Sequence, residues 1–321
     1  MMTDDAQGVA AQEVGPMDRS GQLADVVEVG DGVFAYVQRD GGWWVNTTGF
    51  VTGADHVLAV DACGTERRTR ALAEAIESTA AAPVRTLVNT HFHGDHTYGN
   101  SMFPAATVIA HHRCRAAMLA DTVLANTPPL WHPGPAWGDV SIKAPTVTFA
   151  DRLTIWVDDL AVELRSVGGR AHTDGDVVAW IPDRGVLFTG DMLFNGGTPL
   201  LISGSVTGYL TALDGLRAIG AEVLVPGHGL PCGPEIFDVH TRYATFVLHA
   251  AGQGRAAGMT PLQTARELDL GEFAGLGDPE RIVLNLHRAY ADLDGTDALD
   301  VPAAFPDAVA YNGGHPMHCV A

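Results

Sequence analysis

The chain has 321 residues, a length that fits one large domain or one domain with an appendage. Hydrophobic residues make up 46% and charged residues 18%, so the chain can bury a full core and is not intrinsically disordered. A formal net charge of −19 argues against a nucleic-acid binder, which neutralises phosphates with Lys and Arg. It also argues against docking on anionic membrane surfaces.

The sequence shows no recognisable targeting signal, and together with the cysteine usage this predicts a cytoplasmic protein. No run of about 18 apolar residues is present, so no transmembrane helix is expected. The first residues have neither a basic start nor an apolar run, so a secretory signal is not expected. The four cysteines contain no CxxC pair, and we expect free thiols in a reducing compartment. They are Cys63, Cys114, Cys232 and Cys319.

The predicted elements alternate between short strands and helices. Residues 1–20 are polar and aperiodic, which predicts a loose arm. Apolar runs bounded by turn residues predict strands, and apolar residues at helical spacing predict helices. The predicted strands are 33–38, 43–51, 56–60, 85–89, 107–110, hairpin strands within 146–167, 177–181, 186–189 and 222–225. The predicted helices are 65–79, 111–124, 206–219, 235–256, 261–268 and 278–293.

Two further segments lack a regular pattern. Residues 127–145 are rich in Pro, Gly and Trp, and this stretch is too long for an ordinary connection, which predicts a functional loop. Residues 310–321 show no clear element. Because the strands come in two batches flanked by helices, we expect an α/β fold in which helices cover both outer faces of two mixed sheets. The predicted division is the arm 1–20, a catalytic domain 21–245 and a helical extension 246–321.

Four residues that suit metal binding follow the predicted strand 85–89. They are His91, His93, Asp95 and His96. His91 and His93 are two residues apart, so they can point to one side of an extended loop and meet one metal. Asp95 and His96 follow Gly94, where the chain can turn toward a second position. Neutral imidazole suits Zn, Fe, Mn or Ni, and packing explains such a cluster poorly, so the cluster predicts a metal site.

Three more residues fit the same site. His172, Asp191 and His228 each follow an apolar strand and a glycine-containing turn. Loops at strand ends are where rigid scaffolds place functional groups. Each residue alone would be weak evidence, but the three in this order strengthen the prediction of a metal centre.

The pattern of seven donors resembles the metallo-β-lactamase superfamily, whose members fold as an αββα sandwich. The resemblance covers residues 25–245 and implies two Zn²⁺ ions, with Fe or Mn as alternatives. It implies a first metal held by His91, His93 and His172. It implies a second metal held by Asp95, His96 and His228, with Asp191 bridging the two.

The resemblance also implies a hydrolytic mechanism. Two cations can share a water and lower its pKa from about 15.7 toward about 7, which makes it a nucleophile for an acyl carbonyl. Asp95 would orient this nucleophile and shuttle its proton. A thiolate leaving group needs no protonation, whereas an amide nitrogen does, so thioesters and activated lactones are expected to be easier substrates than amides.

A narrower resemblance concerns residues 41–46, 271–290 and 311–316. These segments are similar to the bifunctional cyclase/thioesterases of aromatic (type II, actinorhodin-type) polyketide biosynthesis. That resemblance implies ring closure by an aldol condensation, followed by release of the chain from an acyl carrier protein. Carrier proteins are generally acidic, so docking needs a basic patch, and Arg67, Arg68 and Arg70 form the visible concentration of basic residues.

Other functions remain open. The enzyme alternatives are a lactonase, a β-lactamase or a glyoxalase II-like thioesterase, and the non-enzyme alternative is a metal-dependent binding protein. A homodimer is a further expectation.

Several residues outside the donor set are candidates for contact with substrate or ligands. Asp174 and Asp176 lie close to His172 and are candidates to orient it. The candidate substrate contacts are Trp43, Trp44, Asn46 and Trp131, with a buried strand as the alternative explanation for the first three.

Overall fold

The computed structural model describes residues 23–38 and 41–321. The predicted arm, residues 1–20, lies outside the described residues. The described chain forms two mixed sheets that share an apolar core and carry helices on their outer faces, so the predicted αββα sandwich is confirmed.

The first sheet has seven strands in the order β1-β2-β3-β4-β5-β6-β8. Strands β1 to β4 pair antiparallel, and β4, β5, β6 and β8 pair parallel. Their bounds are β1 Asp25–Gly30, β2 Val33–Val37, β3 Thr47–Thr52, β4 Val57–Val60, β5 Val84–Val88, β6 Thr107–His111 and β8 Val147–Phe149.

The second sheet has five strands in the order β13-β12-β11-β10-β9. Only the β12–β13 pair in it is parallel. The bounds are β9 Arg152–Val157, β10 Leu160–Ser166, β11 Val177–Ile181, β12 Val186–Phe194 and β13 Val223–His228. A separate parallel pair joins β7, Trp131–His132, to β14, Met317–His318.

Helices cover both outer faces of the sandwich. They are α1 Glu66–Thr79, α2 Gly94–Thr97, α3 His112–Ala120, α4 Val206–Arg217, α5 Ile236–Ala256, α6 Pro261–Glu267, α7 Arg281–Leu293 and α8 Val301–Tyr311. Short 3₁₀ turns span Tyr98–Met102, Pro182–Arg184 and Gly271–Phe273. Among the described residues, no helix combines the length and the apolarity needed to cross a bilayer.

Period-2 alternation assigns the faces of the first sheet. Val33, Ala35 and Val37 of β2 point into the core shared with the second sheet, whereas Tyr36 points outward. Helix α1 covers that outer face through an apolar stripe on the helix. The Thr65 side chain accepts the Arg68 backbone N–H, 3.4 Å away, and so caps the start of α1.

Several element boundaries differ from the sequence prediction. The strand predicted over 43–51 begins only at Thr47, because Trp44 has a φ of 65° that interrupts extended backbone. The strand predicted over 186–189 continues to Phe194, and the helix predicted over 111–124 ends at Ala120. Strand β1, helix α8 and strand β14 were not predicted.

The C-terminal helices pack onto the sandwich. Helix α5 runs continuously across the predicted boundary at residue 245, and α5 and α7 pack with α4 on the outer face of the second sheet. Helix α8 packs against Trp43 and Trp131, and β14 pairs with β7. The C-terminal segment therefore reaches across to the loop that the sequence singled out.

One buried histidine supports the end of β12. The Nε2 atom of His240 lies 2.9 Å from the Phe194 carbonyl oxygen, and its Nδ1 atom lies 2.6 Å from the Tyr209 hydroxyl. Burial lowers the pKa of His240 to about 4, and its hydrogen bond to Phe194 only partly opposes this. The imidazole is therefore neutral in the folded chain at neutral pH.

We predict that His240 makes stability fall with acidification. Between about pH 6.5 and pH 4 the unfolded chain binds a proton that the folded chain does not, so the free energy of unfolding decreases by about 3 kcal/mol. Urea unfolding across this pH range should show a steeper loss for the parent chain than for His240→Gln. The exposed His315→Gln variant should keep the parental slope. Equal slopes for the parent and His240→Gln would contradict the assignment.

Candidate metal centre and substrate cavity

Strand ends bring the predicted donors to one place. His91 follows β5, Asp191 lies within β12, and His228 is the last residue of β13. The glycines beside them permit close approach. A Cβ at Gly227 would collide with the Asp191 carboxylate, and Gly190 adopts a φ of 51° against Thr90.

Four of the seven residues form a first group. The Nδ1 atom of His93 lies 3.1 Å from His91 Nε2 and 2.9 Å from His172 Nε2. Asp191 Oδ2 lies 3.7 Å from His91 Nε2 and 3.4 Å from His172 Nε2. One donor atom from each of these residues lies within 4.8 Å of the others, so the four could hold one cation.

The other three residues form a second group beside the first. His228 Nε2 lies 3.4 Å from Asp95 Oδ2, and His96 Nε2 lies 3.7 Å from the same oxygen. Asp191 also reaches this group, with Oδ1 3.0 Å from His96 Nε2 and Oδ2 3.3 Å from His228 Nε2. The Asp191 carboxylate therefore contacts both groups.

Outer hydrogen bonds select the tautomer of three histidines. In each of them Nδ1 faces an oxygen that can only accept, so in the neutral ring Nδ1 keeps the proton and the Nε2 lone pair points into the site. The Nδ1 atoms of His172, His228 and His96 lie 2.6 Å from Leu200 O, 3.0 Å from Gly41 O and 2.8 Å from Asp61 Oδ2, respectively. Once the rings are neutral, the chain presents Nε2 lone pairs to a cation at the centre.

Two buried atoms at the centre have no hydrogen-bond partner in the part of the chain that the structure describes. His96 Nε2 and Asp191 Oδ1 lie 3.0 Å apart, yet neither makes a hydrogen bond of acceptable geometry. Buried polar atoms are rarely left unpaired, and such exceptions often mark a site for an ion. A nitrogen lone pair and a carboxylate oxygen are both ligands for a transition metal, so the residues fit a metal centre.

The electrostatics of the centre favour bound cations. Burial alone would raise the pKa of both carboxylates, but His228 and His96 hold the pKa of Asp191 well below its usual range and that of Asp95 at about 2. Burial lowers the pKa of His172 to about 3. Burial also opposes protonation of His228, but Asp191 and Asp95 outweigh it and raise its pKa to about 9. Metal binding must therefore displace protons from this centre.

Asp61 supports the centre and was missed by the sequence analysis. Its Oδ2 atom accepts hydrogen bonds from His96 Nδ1 at 2.8 Å and from the Thr90 hydroxyl at 2.7 Å. Its Oδ1 atom accepts the Thr90 backbone N–H at 2.8 Å. The only sequence signal is its position directly after the apolar strand β4, which many structural aspartates share.

We predict that Asp61→Asn weakens metal binding about 10- to 100-fold. The Asn amide nitrogen would face His96 Nδ1 and force it to accept, which moves the ring proton to Nε2 and removes the lone pair from the centre. Competition against a fluorescent chelator measures the affinity. Asp174→Asn is the matched control, because Asp174 pairs with Arg113 on the surface. Equal affinities for Asp61→Asn and the parent chain would contradict this role.

The orienting role predicted for Asp174 and Asp176 is not what the structure shows. Asp174 pairs with Arg113, and Asp176 accepts hydrogen bonds from the backbone and the hydroxyl of Thr173. The His172 ring is oriented by the Leu200 carbonyl instead. The two carboxylates bond to Arg113 and Thr173 rather than to the imidazole of His172, so they stabilise the surrounding loop.

A cavity of about 640 Å³ opens onto the metal donors. Its donor side includes His93, Asp95, Asp191 and His228, and most of the remaining wall is apolar or aromatic. The aromatic wall residues are Trp43, Trp44, Phe92, Tyr98, Trp131, Phe194 and Phe305. This volume suits a ligand of several fused rings, since small-molecule sites span about 300–1,000 Å³.

Three of the four candidate substrate residues line this cavity, and the fourth does not. Trp43, Trp44 and Trp131 form part of its wall, and Trp44 packs edge-on against Trp131 with ring centroids 5.1 Å apart. Asn46 is fully buried behind the site, where its amide donates to the Ala62 carbonyl at 2.8 Å. Its assignment as a substrate contact is corrected, because its polar atoms serve the packing beneath His96.

The arginine cluster presents two of its three side chains, Arg67 and Arg70, at the surface. Arg68 is buried and donates to Gln38 at 2.7 Å and to the Val320 carbonyl at 2.6 Å. Arg70 is exposed but pairs with Glu66 at 2.7 Å. A partner at this face would therefore meet fewer free cations than the sequence indicates.

Comparison with known proteins identifies the family. Residues 41–228 match the model of the metallo-beta-lactamase superfamily, more than half of the chain. The chain belongs to this superfamily. Metallo-β-lactamase superfamily proteins bind a dinuclear metal centre, and the two donor groups described above could hold one. The chain is accordingly a metal-dependent hydrolase of this superfamily.

Individual relatives span several activities within the superfamily. The chain is 25% identical over 226 residues to a type 2 metallo-beta-lactamase of Bacteroides fragilis, covering 68% of this chain and 83% of that protein. It is 28% identical to a hydroxyacylglutathione hydrolase of Rhodospirillum rubrum, covering 67% and 75%. The structure of a metallo-beta-lactamase from Pontibacter korlensis superposes with a TM-score of 0.57 at 18% identity, covering 69% of this chain and 99% of that chain. This last similarity concerns the fold.

Proposed function

We propose that this superfamily member is a dinuclear zinc thioesterase for bulky, apolar acyl groups, with aromatic polyketides as the substrate class and ring closure as an accompanying step. The observation that carries the proposal is a large aromatic cavity that four of the seven donors line. A site that only bound metal would need neither the cavity nor a shared carboxylate, since structural zinc sites are normally closed by four ligands.

Zinc is the proposed metal because five imidazoles dominate the donor set. The first zinc would be held by His91, His93 and His172, the second by Asp95, His96 and His228, and Asp191 would serve both. When bound, the pair supplies Lewis acidity and lowers the pKa of a shared water.

Asp95 is the proposed group for proton transfer. It lines the cavity, and its Oδ2 atom lies 3.4 Å from His228 Nε2. A metal at this position favours the ionised carboxylate, which can accept a proton. A thiolate leaving group departs without that proton, so the geometry supports thioester cleavage better than amide cleavage.

The cavity wall favours an apolar acyl group over a glutathione conjugate. The hydroxyacylglutathione hydrolase relatives make glutathione thioesters the second candidate. Glutathione carries two carboxylates, whereas Arg281 supplies the one Lys or Arg side chain among the residues that line the cavity in the described chain. Flat indole and phenyl rings instead offer stacking surfaces for a partly cyclised polyketide. An acyl carrier protein is the proposed donor of the acyl group.

Metal analysis combined with thioester hydrolysis tests the proposal. Purified protein should contain two zinc ions per chain and hydrolyse the 2-naphthoyl thioester of N-acetylcysteamine faster than lactoylglutathione or a cephalosporin. A chelator should abolish the activity, and added zinc should restore it. One iron per chain with no hydrolysis of any ester would refute the proposal. Faster turnover of lactoylglutathione would favour the second candidate.

A further inference from the structure

A buried arginine stands in the cavity away from the metal donors. Arg281 begins helix α7 and lines the cavity, yet its side chain is only 2% exposed. Its guanidinium lies over the Trp43 ring at 4.5 Å and over the Phe194 ring at 5.6 Å. Phe194 in turn stacks on His228, with ring centroids 4.9 Å apart. The Phe194 ring thus lies between the guanidinium and the metal donor His228.

The hydrogen bonds of Arg281 leave one donor unused. Its Nη1 atom donates to the Thr198 carbonyl at 3.0 Å, and its Nη2 atom lies 2.8 Å from Asp278 Oδ2. Its Nε–H is buried and has no hydrogen-bond partner among the described residues. Leaving a buried donor unpaired is unfavourable, so this position has capacity for a ligand oxygen.

The surrounding charges determine which oxygen fits. Asp278 already pairs with the guanidinium, and the carboxylate of Glu280, the residue before Arg281, accepts the Trp43 indole N–H at 2.6 Å. These carboxylates disfavour a further full negative charge from a ligand. A neutral oxygen, such as a ketone or phenol oxygen, gains the hydrogen bond without that repulsion.

The wall around Arg281 determines the shape of the ligand. Phe305 of α8 packs near Trp43 and Trp131, with ring centroids 6.1 Å and 5.9 Å away. These three aromatic residues and Arg281 all line the cavity. A planar group that stacks against the rings would therefore lie beside Arg281.

We propose that Arg281 is a specificity-determining residue that donates its Nε–H to a neutral ketone or phenol oxygen on a planar acyl group. This inference rests on the proposed function for the identity of the acyl group, but the binding site itself can be tested without turnover. Arg281 selects among acyl groups and takes no part in bond breaking.

Ligand binding tests the proposal independently of hydrolysis. Dissociation constants of 2-naphthamide and its ring-hydroxylated analogues are measured by calorimetry on zinc-loaded protein. At least one hydroxylated analogue should bind the parent chain about 10- to 100-fold more tightly than 2-naphthamide, the range expected for a buried hydrogen bond to a charged donor. Arg281→Met should lose this preference while still binding 2-naphthamide.

Two further variants keep the experiment decisive. Arg281→Lys retains a cation near Thr198 but has no N–H at the position of Nε, so it should also lose the preference for a hydroxylated analogue. This variant still tests the proposal if Arg281→Met fails to fold. Arg266→Met removes a C-terminal arginine whose contact is the Ala310 carbonyl, outside the cavity, and should keep the preference. Absence of any preference in the parent chain, or its survival in Arg281→Lys, would overturn the proposal. Failure of thioester hydrolysis with the preference intact would count against the proposed function alone.

Discussion

Replacing Asp191 with alanine is expected to remove one metal per chain and to lower kcat/KM for thioesters by at least about 100-fold, since even partners of metal ligands change affinity or activity by about 10- to 100-fold. The carboxylate contacts both donor groups, with Oδ1 3.0 Å from His96 Nε2 and Oδ2 3.3 Å from His228 Nε2. Its loss leaves the buried imidazoles without the charge that favours cations at both positions.

The measurement is metal content after dialysis, together with hydrolysis of a naphthoyl thioester. Asp183→Ala removes an exposed aspartate from the turn before β12 and should retain both metals and full activity. If Asp191→Ala keeps two metals per chain with unchanged affinity, the shared position of Asp191 is wrong.

Asp95→Asn should reduce hydrolysis of an alkyl ester more than hydrolysis of the thioester of the same acyl group. The amide can still offer an oxygen ligand, but it cannot accept and return a proton. Loss of general acid–base catalysis lowers rates by about 10²- to 10⁴-fold, and this loss is largest where the leaving group must be protonated. Alkoxide leaving groups need that proton and thiolates do not.

Assays of Asp95→Asn at saturating zinc separate proton transfer from metal loss. The control is Asp121→Asn, which alters a carboxylate of the same cavity that accepts the Tyr98 hydroxyl at 2.8 Å rather than contacting the donor groups. This control should change both rates little. Equal losses for the ester and the thioester in Asp95→Asn would show that Asp95 acts through metal binding alone.

The seven donors were accessible to sequence analysis because residue type and local position both indicated them. His91, His93 and Asp95 lie within a few residues after an apolar strand, and few structural roles require that combination. The sandwich was predictable for a related reason, since strands and helices of strong periodicity report directly on which faces are buried.

The supporting residues were hidden because their roles depend on distant partners. Asp61 resembles any aspartate at the end of a strand until its contact with His96, 35 residues later, is known. Arg281 resembles an ordinary residue of an amphipathic helix until folding places it over Trp43. Asn46 is the opposite case: the sequence predicted a substrate contact because Trp43 and Trp44 lie beside it, but only those two neighbours line the cavity.

Helix α8 escaped prediction for a local reason. Pro302 lies in its first turn and Pro306 within it, and internal prolines normally argue against a helix. The position of this helix then depends on the pairing of β14 with β7, which joins residues far apart in the chain. Single-sequence patterns carry no information about such pairings.

Damage near the β7–β14 pair could change the substrate range of a purified sample without changing its metal content. All seven donors precede residue 229, whereas part of the cavity wall comes from α8, and the strand that follows it is anchored to Trp131. The link between α8 and β14 contains Gly313 and Gly314, with φ values of 68° and 82° in an exposed turn, where a protease finds accessible backbone. A preparation clipped there would keep its metals and pass a metal assay, yet it would contain molecules with a loosened wall and altered selectivity. Intact mass is therefore as important a quality criterion for this protein as metal content.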